Sequence, residues 1–327
     1  MDKYNLRQII LEYPNQLQVG KKFAEKIKPV KKDNFTNLII CGMGGSALPA
    51  DLLSSYLNHR EKTFSLPISI VRDYSLPPQA NQDSLIFISS YSGNTEETIS
   101  CFQQALKTKA SIVAFSEGGE VEKIAKENKI PHVKYKIDFP HFQPRYANTY
   151  AFAAMHKVLT NLKLSDTINR FPKIDSRKTE VLGEELAKKA KNKIPVIYSS
   201  SQFKTVARNW KIKINENSKS PAFWNYFPEL NHNEMLGFSL PKNDYIVFIL
   251  KDSADEERVK ERMELTSKLY QAKGITTEII PIMGEDYLEK ILYSLVLGDW
   301  LSYYLALEYN QDPTPVEMVE EFKKKLS

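Results

Sequence analysis

The 327-residue chain reads as an α/β protein of two doubly wound αβα domains with parallel sheets, the second a pseudo-repeat of the first. Three observations carry that prediction. Short β-branched runs of the kind buried on both faces of a parallel sheet recur through the chain. Helical periodicity fills the gaps between them, and such alternation winds a sheet whose ligands sit at the carboxyl ends of the strands. Strand starts near 38, 84 and 111 are matched by starts near 196, 244 and 277, so the second half restarts the programme of the first.

Taken in order, residues 1–30 form a helical lead-in with Leu6, Ile9, Ile10 and Tyr13 on one side. Asn37–Cys41 is the first strand and ends in Gly42-Met43-Gly44-Gly45-Ser46. A helix begins beyond it, with Pro49 in its first turn and Leu48, Leu52 and Tyr56 on one face. This glycine turn resembles the dinucleotide fingerprint, which wants an acidic residue about 20 positions on. The next strand, Ile68–Val71, ends instead in Arg72-Asp73, about 30 positions on.

Residues 85–88 form a strand that breaks into Ser89-Ser90-Tyr91-Ser92-Gly93-Asn94-Thr95 before a helix carrying Ile99, Phe102 and Leu106 on one face. The first N–H groups of a helix lack partners and its dipole is positive there, so hydroxyls from Ser90, Ser92 and Thr95 complete an anion site. A helix cap uses one hydroxyl. Three around a glycine point to a phosphate, and with no lysine in the loop this is not a Walker-type nucleotide site. The strand Ser111–Ser116 ends in Gly118-Gly119; an irregular run over 140–145 precedes a helix through Leu162. The polar stretch 164–179, with Pro172, is the expected linker between domains at 1–163 and 180–327.

In the second half, residues 194–201, 244–250 and 277–282 repeat the strands at 37, 84 and 111. There Leu250 runs into Lys251-Asp252-Ser253-Ala254-Asp255, acidic and without glycine, so one phosphate site per chain is expected, in the first domain. Phe203, Val206, Trp210 and Ile214 mark a helix ending near Asn215-Glu216-Asn217-Ser218-Lys219. The negative end of a helix disfavours a carboxylate, which suits Glu216 to act as a base near neutrality. A surface pairing with Lys213 or Lys219 fits its position equally well. His232 stands among Glu229, Asn231, Asn233 and Glu234, a setting for proton transfer more than for packing. After Asp312-Pro313-Thr314-Pro315, Val316, Val319, Phe322 and Leu326 share an apolar arc that includes Lys323. A lysine on such a face either snorkels or meets an anion.

Bulk properties exclude other classes. The net charge of +5 comes from dispersed lysines, with no basic stripe interleaved with aromatics, so no nucleic-acid partner is expected. Cys41 and Cys101 are too few for a disulfide framework and read as buried hydrophobes in a reducing cytoplasm. The five histidines never take metal-ligand spacing, and no metal or cofactor is expected. The start lacks a signal-peptide pattern, and the apolar segment 288–307 is broken by Glu289, Lys290 and Asp299, so it reads as a buried helix and not a membrane span.

Five segments, Gly42-Met43-Gly44-Gly45-Ser46, Ser90-Tyr91-Ser92-Gly93-Asn94-Thr95, Gln143-Pro144-Arg145, Asn215-Glu216-Asn217-Ser218-Lys219 and Glu229-Leu230-Asn231-His232-Asn233-Glu234, together resemble the bifunctional phosphoglucose/phosphomannose isomerases of the sugar isomerase (SIS) superfamily. The likeness keeps order and spacing over nearly the whole chain. It implies two SIS domains, a homodimer, and conversion of fructose 6-phosphate into glucose 6-phosphate and mannose 6-phosphate. It also implies that Gly45, Ser46, Ser90, Ser92 and Thr95 bind the phosphate, that Glu216 is the base, and that Arg145 stabilises an enediolate. His232, donated across the dimer interface, and Lys323 would open the sugar ring. The competing readings are an aminosugar-phosphate isomerase of the same superfamily, a sugar-phosphate-binding protein without catalysis and, more distantly, a nicotinamide-dependent dehydrogenase.

Overall fold

A computed structural model describes the chain except residues 30–33, 61–63, 173, 242 and 327. The chain forms two compact units, one of residues 15–171 and one of Met1–Pro14 with residues 172–327. The lead-in is helical as the apolar spacing requires, α1 over Leu6–Leu11 and α2 over Tyr13–Phe23, with Leu6, Ile9, Ile10 and Tyr13 buried. Met1–Pro14 cluster with the later residues, held there by the Arg7 guanidinium on both carboxylate oxygens of Glu180 at 2.7 and 2.9 Å.

The unit of residues 15–171 runs β1 (Asn37–Cys41), α3 (Gly44–Arg60), β2 (Ile68–Val71), β3 (Ser84–Ser89), α4 (Glu96–Thr108), β4 (Ser111–Ser116), α5 (Gly119–Glu127), β5 (His132–Lys134) and α6 (Asn148–Asn161). Its strands are parallel in the order β2-β1-β3-β4-β5. Every residue of β1, β3 and β4 is buried, which is why these segments are continuously apolar instead of alternating. Ile39, Cys41, Ile86, Ile88, Ile112 and Ala114 make one core with Cys101, Phe102, Val121 and Ile124; the intervening residues point to the opposite face. Both cysteines are buried and reduced. Pro49 lies in the second turn of α3, because the helix begins at Gly44, earlier than the sequence pattern places it.

The other unit continues with α7 (Ser176–Ala190), β6 (Ile194–Ser200), α8 (Lys204–Ser218), β7 (Phe223–Phe227), β8 (Tyr245–Lys251), α9 (Glu257–Gln271), β9 (Thr276–Pro281), α10 (Tyr287–Glu308) and α11 (Glu317–Leu326). The sheet order β7-β6-β8-β9, all parallel, repeats β2-β1-β3-β4 with the same reversal of direction after its first strand. Asp175 caps α7 by accepting from the Arg177 and Lys178 N–H groups, so regular structure starts inside the polar stretch expected to be linker. The apolar segment near 288–307 is the buried helix α10. Among the described residues no helix is long and apolar enough to cross a membrane, and no cluster of metal-ligating side chains occurs.

Candidate active site

In the first sheet the strand order reverses between β1 and β3, and the turns that leave their carboxyl ends meet there, where ligands of doubly wound sheets bind. The Tyr91 N–H donates to Ser46 Oγ (2.9 Å) and Ser89 Oγ donates to the Ser46 carbonyl (3.0 Å), joining the glycine turn to the hydroxyl turn. Gly42 has no room for a side chain, since a Cβ there would lie 2.8 Å from the Ser89 carbonyl.

Thr95 occupies the N-cap of α4, yet its side chain caps nothing. Its hydroxyl instead lies 2.8 Å from that of Ser90, which is fully buried and accepts the Gly93 N–H at 3.1 Å. Ser92 Oγ accepts the Asn94 N–H at 3.3 Å. The helix end is thus rimmed by hydroxyls that brace one another. Gly93, at φ +74°, carries the turn against the next one: a Cβ there would stand 1.8 Å from the Gly118 carbonyl. Asn94 Oδ1 accepts the Glu120 N–H (3.0 Å) at the start of α5, and the Tyr91 carbonyl accepts the Glu117 N–H (2.8 Å). This bracing role of Asn94 and Tyr91 escapes sequence reading, because its partners lie some 26 residues away.

Arg145 sits in a single 3-10 turn, Pro144–Tyr146, formed by the run that reads as irregular in sequence. Its backbone packs on the glycine turn: a Cβ on Gly45 would come within 2.8 Å of the Arg145 N. The guanidinium is buried at 1% exposure, with Gln143 Oε1 at 3.4 Å and the Tyr146 ring 5.4 Å from Cζ. A buried cation therefore belongs to a residue whose backbone abuts the glycine turn, brought there by tertiary contact and not by sequence proximity.

Glu216 belongs to the other unit. It lies in the last turn of α8, whose final residues hand over to Lys219 in the left-handed conformation at φ 55°. The carboxylate borders a cavity of about 580 Å³, lined also by Lys219, Pro315, Val316, Met318 and Val319. The Lys219 ammonium draws the C-terminal segment to this helix end, donating to the Asn217 carbonyl at 2.9 Å and the Asp312 carbonyl at 2.7 Å. Lys213 pairs with Asp299 at 2.6 Å.

The structure does not bring His232 to the same cavity. In a parallel sheet α8 ends at the amino edge, β7 runs back across the sheet, and His232 follows its far end. The five residues of β7 alone span about 17 Å. His232 is exposed, while its neighbours are tied down: Asn233 donates to Glu229, Asn231 to Thr266, and Glu234 accepts from Tyr198 and Asn225. The polar density around it fixes a turn that presents the imidazole outward.

The helix α11 forms, and none of it is buried: Val319, Phe322 and Leu326 are exposed along with Lys323. Lys323 follows Val319 of the cavity wall by one turn on the same face.

Two doubly wound sheets of matching order, one carrying a hydroxyl-rimmed anion cradle at its switch point, define a protein of the SIS class. The model of the bacterial phospho-glucose isomerase C-terminal SIS domain matches residues 180–326. The bifunctional phosphoglucose/phosphomannose isomerase of Aquifex aeolicus (strain VF5) is 36% identical over 297 residues, covering 89% of this chain and 91% of its own length. The enzyme of the same name from Caldicellulosiruptor bescii is 34% identical over 341 residues, covering 97% and 98%. The chain belongs to the bifunctional phosphoglucose/phosphomannose isomerase family. At the level of fold, the C-terminal domain of glucosamine-fructose-6-phosphate aminotransferase from Francisella tularensis superposes with a TM-score of 0.73 at 15% identity, covering 96% of this chain and 98% of that one.

Proposed function

We propose that this chain interconverts fructose 6-phosphate with glucose 6-phosphate and mannose 6-phosphate through a cis-enediol. The observation that carries the reading is the cradle itself, in which the N-cap hydroxyl of α4 is turned away from capping and paired with Ser90. Gly45, Ser46, Ser90, Ser92 and Thr95 hold the phosphate, with the α4 dipole adding to their donors.

Glu216 acts on the open-chain sugar. Its carboxylate takes the C1 proton of the ketose, the C–H electron pair becomes the C1–C2 double bond, and the C2 carbonyl oxygen is protonated. Loss of the O1 proton then re-forms a carbonyl at C1 while Glu216 returns its proton to C2. Delivery to one face yields the glucose configuration and to the other the mannose configuration. Arg145 faces the oxygen on which charge develops, a preorganised cation worth most in a dry site. His232 and Lys323 open the ring. The separation of His232 from Glu216 along β7 supports donation of His232 by a partner subunit, making the enzyme a homodimer with completed sites. Its metabolic substrates place it in the cytoplasm.

The test supplies fructose 6-phosphate in the presence of a chelator and measures both epimeric products, with Glu216→Gln beside the wild type. Both products, with turnover reduced about 10³-fold in the variant, are expected. Unimpaired turnover in Glu216→Gln removes the base, and turnover of glucosamine 6-phosphate alone moves the chain to aminosugar chemistry.

A further inference from the structure

The helix that carries Glu216 is fastened to α10 by polar groups where apolar ones would serve. Lys213 Nζ lies 2.6 Å from Asp299 Oδ1, with the two side chains 2% and 1% exposed. One turn later Asn217 Nδ2 donates to Ser302 Oγ (2.8 Å), both residues being fully buried, and Ser302 Oγ donates on to the Asp299 carbonyl (3.0 Å). Below them Trp210 Nε1 donates to the Ser294 carbonyl at 2.7 Å. The helices approach closely there, since a Cβ on Gly298 would stand 2.4 Å from the Trp210 ring.

A buried ion pair is a poor route to stability. Apolar residues of similar volume serve as well or better, because two charges must be stripped of water to form it. What an ion pair and an amide–hydroxyl bond supply, and aliphatic contacts do not, is a narrow optimum of distance and angle. Residues 213 and 217 stack on one helix face at i and i+4, and Glu216 lies on the adjoining stripe, turned toward the cavity. We propose that Lys213–Asp299 and Asn217–Ser302 are positioning residues that set the rotation and axial register of the last turn of α8 and so aim the Glu216 carboxylate.

The proposal rests on Glu216 being the base, and the experiment separates the two. The variant Lys213→Met/Asp299→Leu replaces the pair with apolar groups. It is expected to keep its circular dichroism and a thermal midpoint at or above that of the wild type. Its KM for fructose 6-phosphate stays within about 2-fold while kcat falls about 10- to 100-fold, the size of effect that a 1 Å misplacement produces. Wild-type kcat in that folded variant, with Glu216→Gln inactive, overturns the positioning role and leaves the base intact. Full activity of Glu216→Gln overturns both. Should the double variant fail to fold, Ser302→Ala carries the test: kcat lowered about 3-fold or more at constant KM supports the seam, and unchanged kcat overturns it.

Discussion

The two sheets share a strand order and differ at the point where that order reverses. After β1 and β3 the chain turns on glycines and hydroxyls, joined by the Ser46–Tyr91 and Ser90–Thr95 bonds. After β8 the corresponding turn closes on itself. Asp255 is buried there and accepts the Asp252 N–H at 3.0 Å, and Lys290 Nζ lies 2.7 Å from Asp252 Oδ1. Burial pushes the Asp255 carboxyl above its ordinary value, with the Ser200 side chain opposing. The turn after β8 is thus built around its own buried carboxylate, whereas the turn after β3 is built of hydroxyls. Duplication of a fold does not duplicate its turns.

The largest break in this contrast comes from Gly93→Ala. A side chain there meets the Gly118 carbonyl and a backbone at φ +74° at once, so stability drops about 2 kcal/mol or more by urea denaturation and phosphate binding is lost. Ser253→Ala, in the exposed counterpart turn of the second copy, shifts stability by no more than about 0.5 kcal/mol. Equal losses in the two would show that the first turn is special only as structure.

A smaller effect sharpens the contrast by ligand affinity. On the proposed function, Thr95→Val removes one of the cradle's hydroxyls and raises KM about 10-fold with kcat nearly unchanged. Asp255→Asn leaves KM within about 2-fold, because the proposed function assigns the phosphate to the first switch point alone. A KM rise in Asp255→Asn would mean that the closed turn still handles substrate.

The smallest effect concerns β5, the strand present only in the first sheet. Lys126 and Lys134 hold the Glu122 carboxyl down from 4.5 to about 2, tying α5 to β5. A depressed carboxyl stabilises the fold above its unfolded value and loses that contribution as pH falls through the folded one. The thermal midpoints of wild type and Glu122→Gln should therefore differ above pH 4.5 and converge as pH falls toward about 2. A gap constant across that window would show that the ion pairs contribute nothing.

The strands, their parallel class, the duplicated order and the hydroxyl turn were legible because each is written in neighbouring residues. An unbroken apolar run such as Leu85-Ile86-Phe87-Ile88 admits burial on both faces, and Ser90 through Thr95 form one turn whose chemistry is local. The segments of Arg145, Glu216 and His232 were legible as motifs, but their surroundings were not. Periodicity also placed α11: the arc of Val319, Phe322 and Leu326 is real, though an amphipathic pattern does not say what the face meets.

By itself, then, the amino-acid sequence determined the main strands, the repeat and the hydroxyl turn, all products of short-range sterics and hydrogen bonding. Only the tertiary structure decided that Arg145 abuts Gly45, that Lys219 draws the Asp312 segment against the Glu216 cavity, and that Lys213 meets Asp299 inside the α8–α10 seam. Each of those contacts joins residues some 86 to 100 positions apart, or nearly so, and no local pattern encodes a partner that packing alone brings within reach.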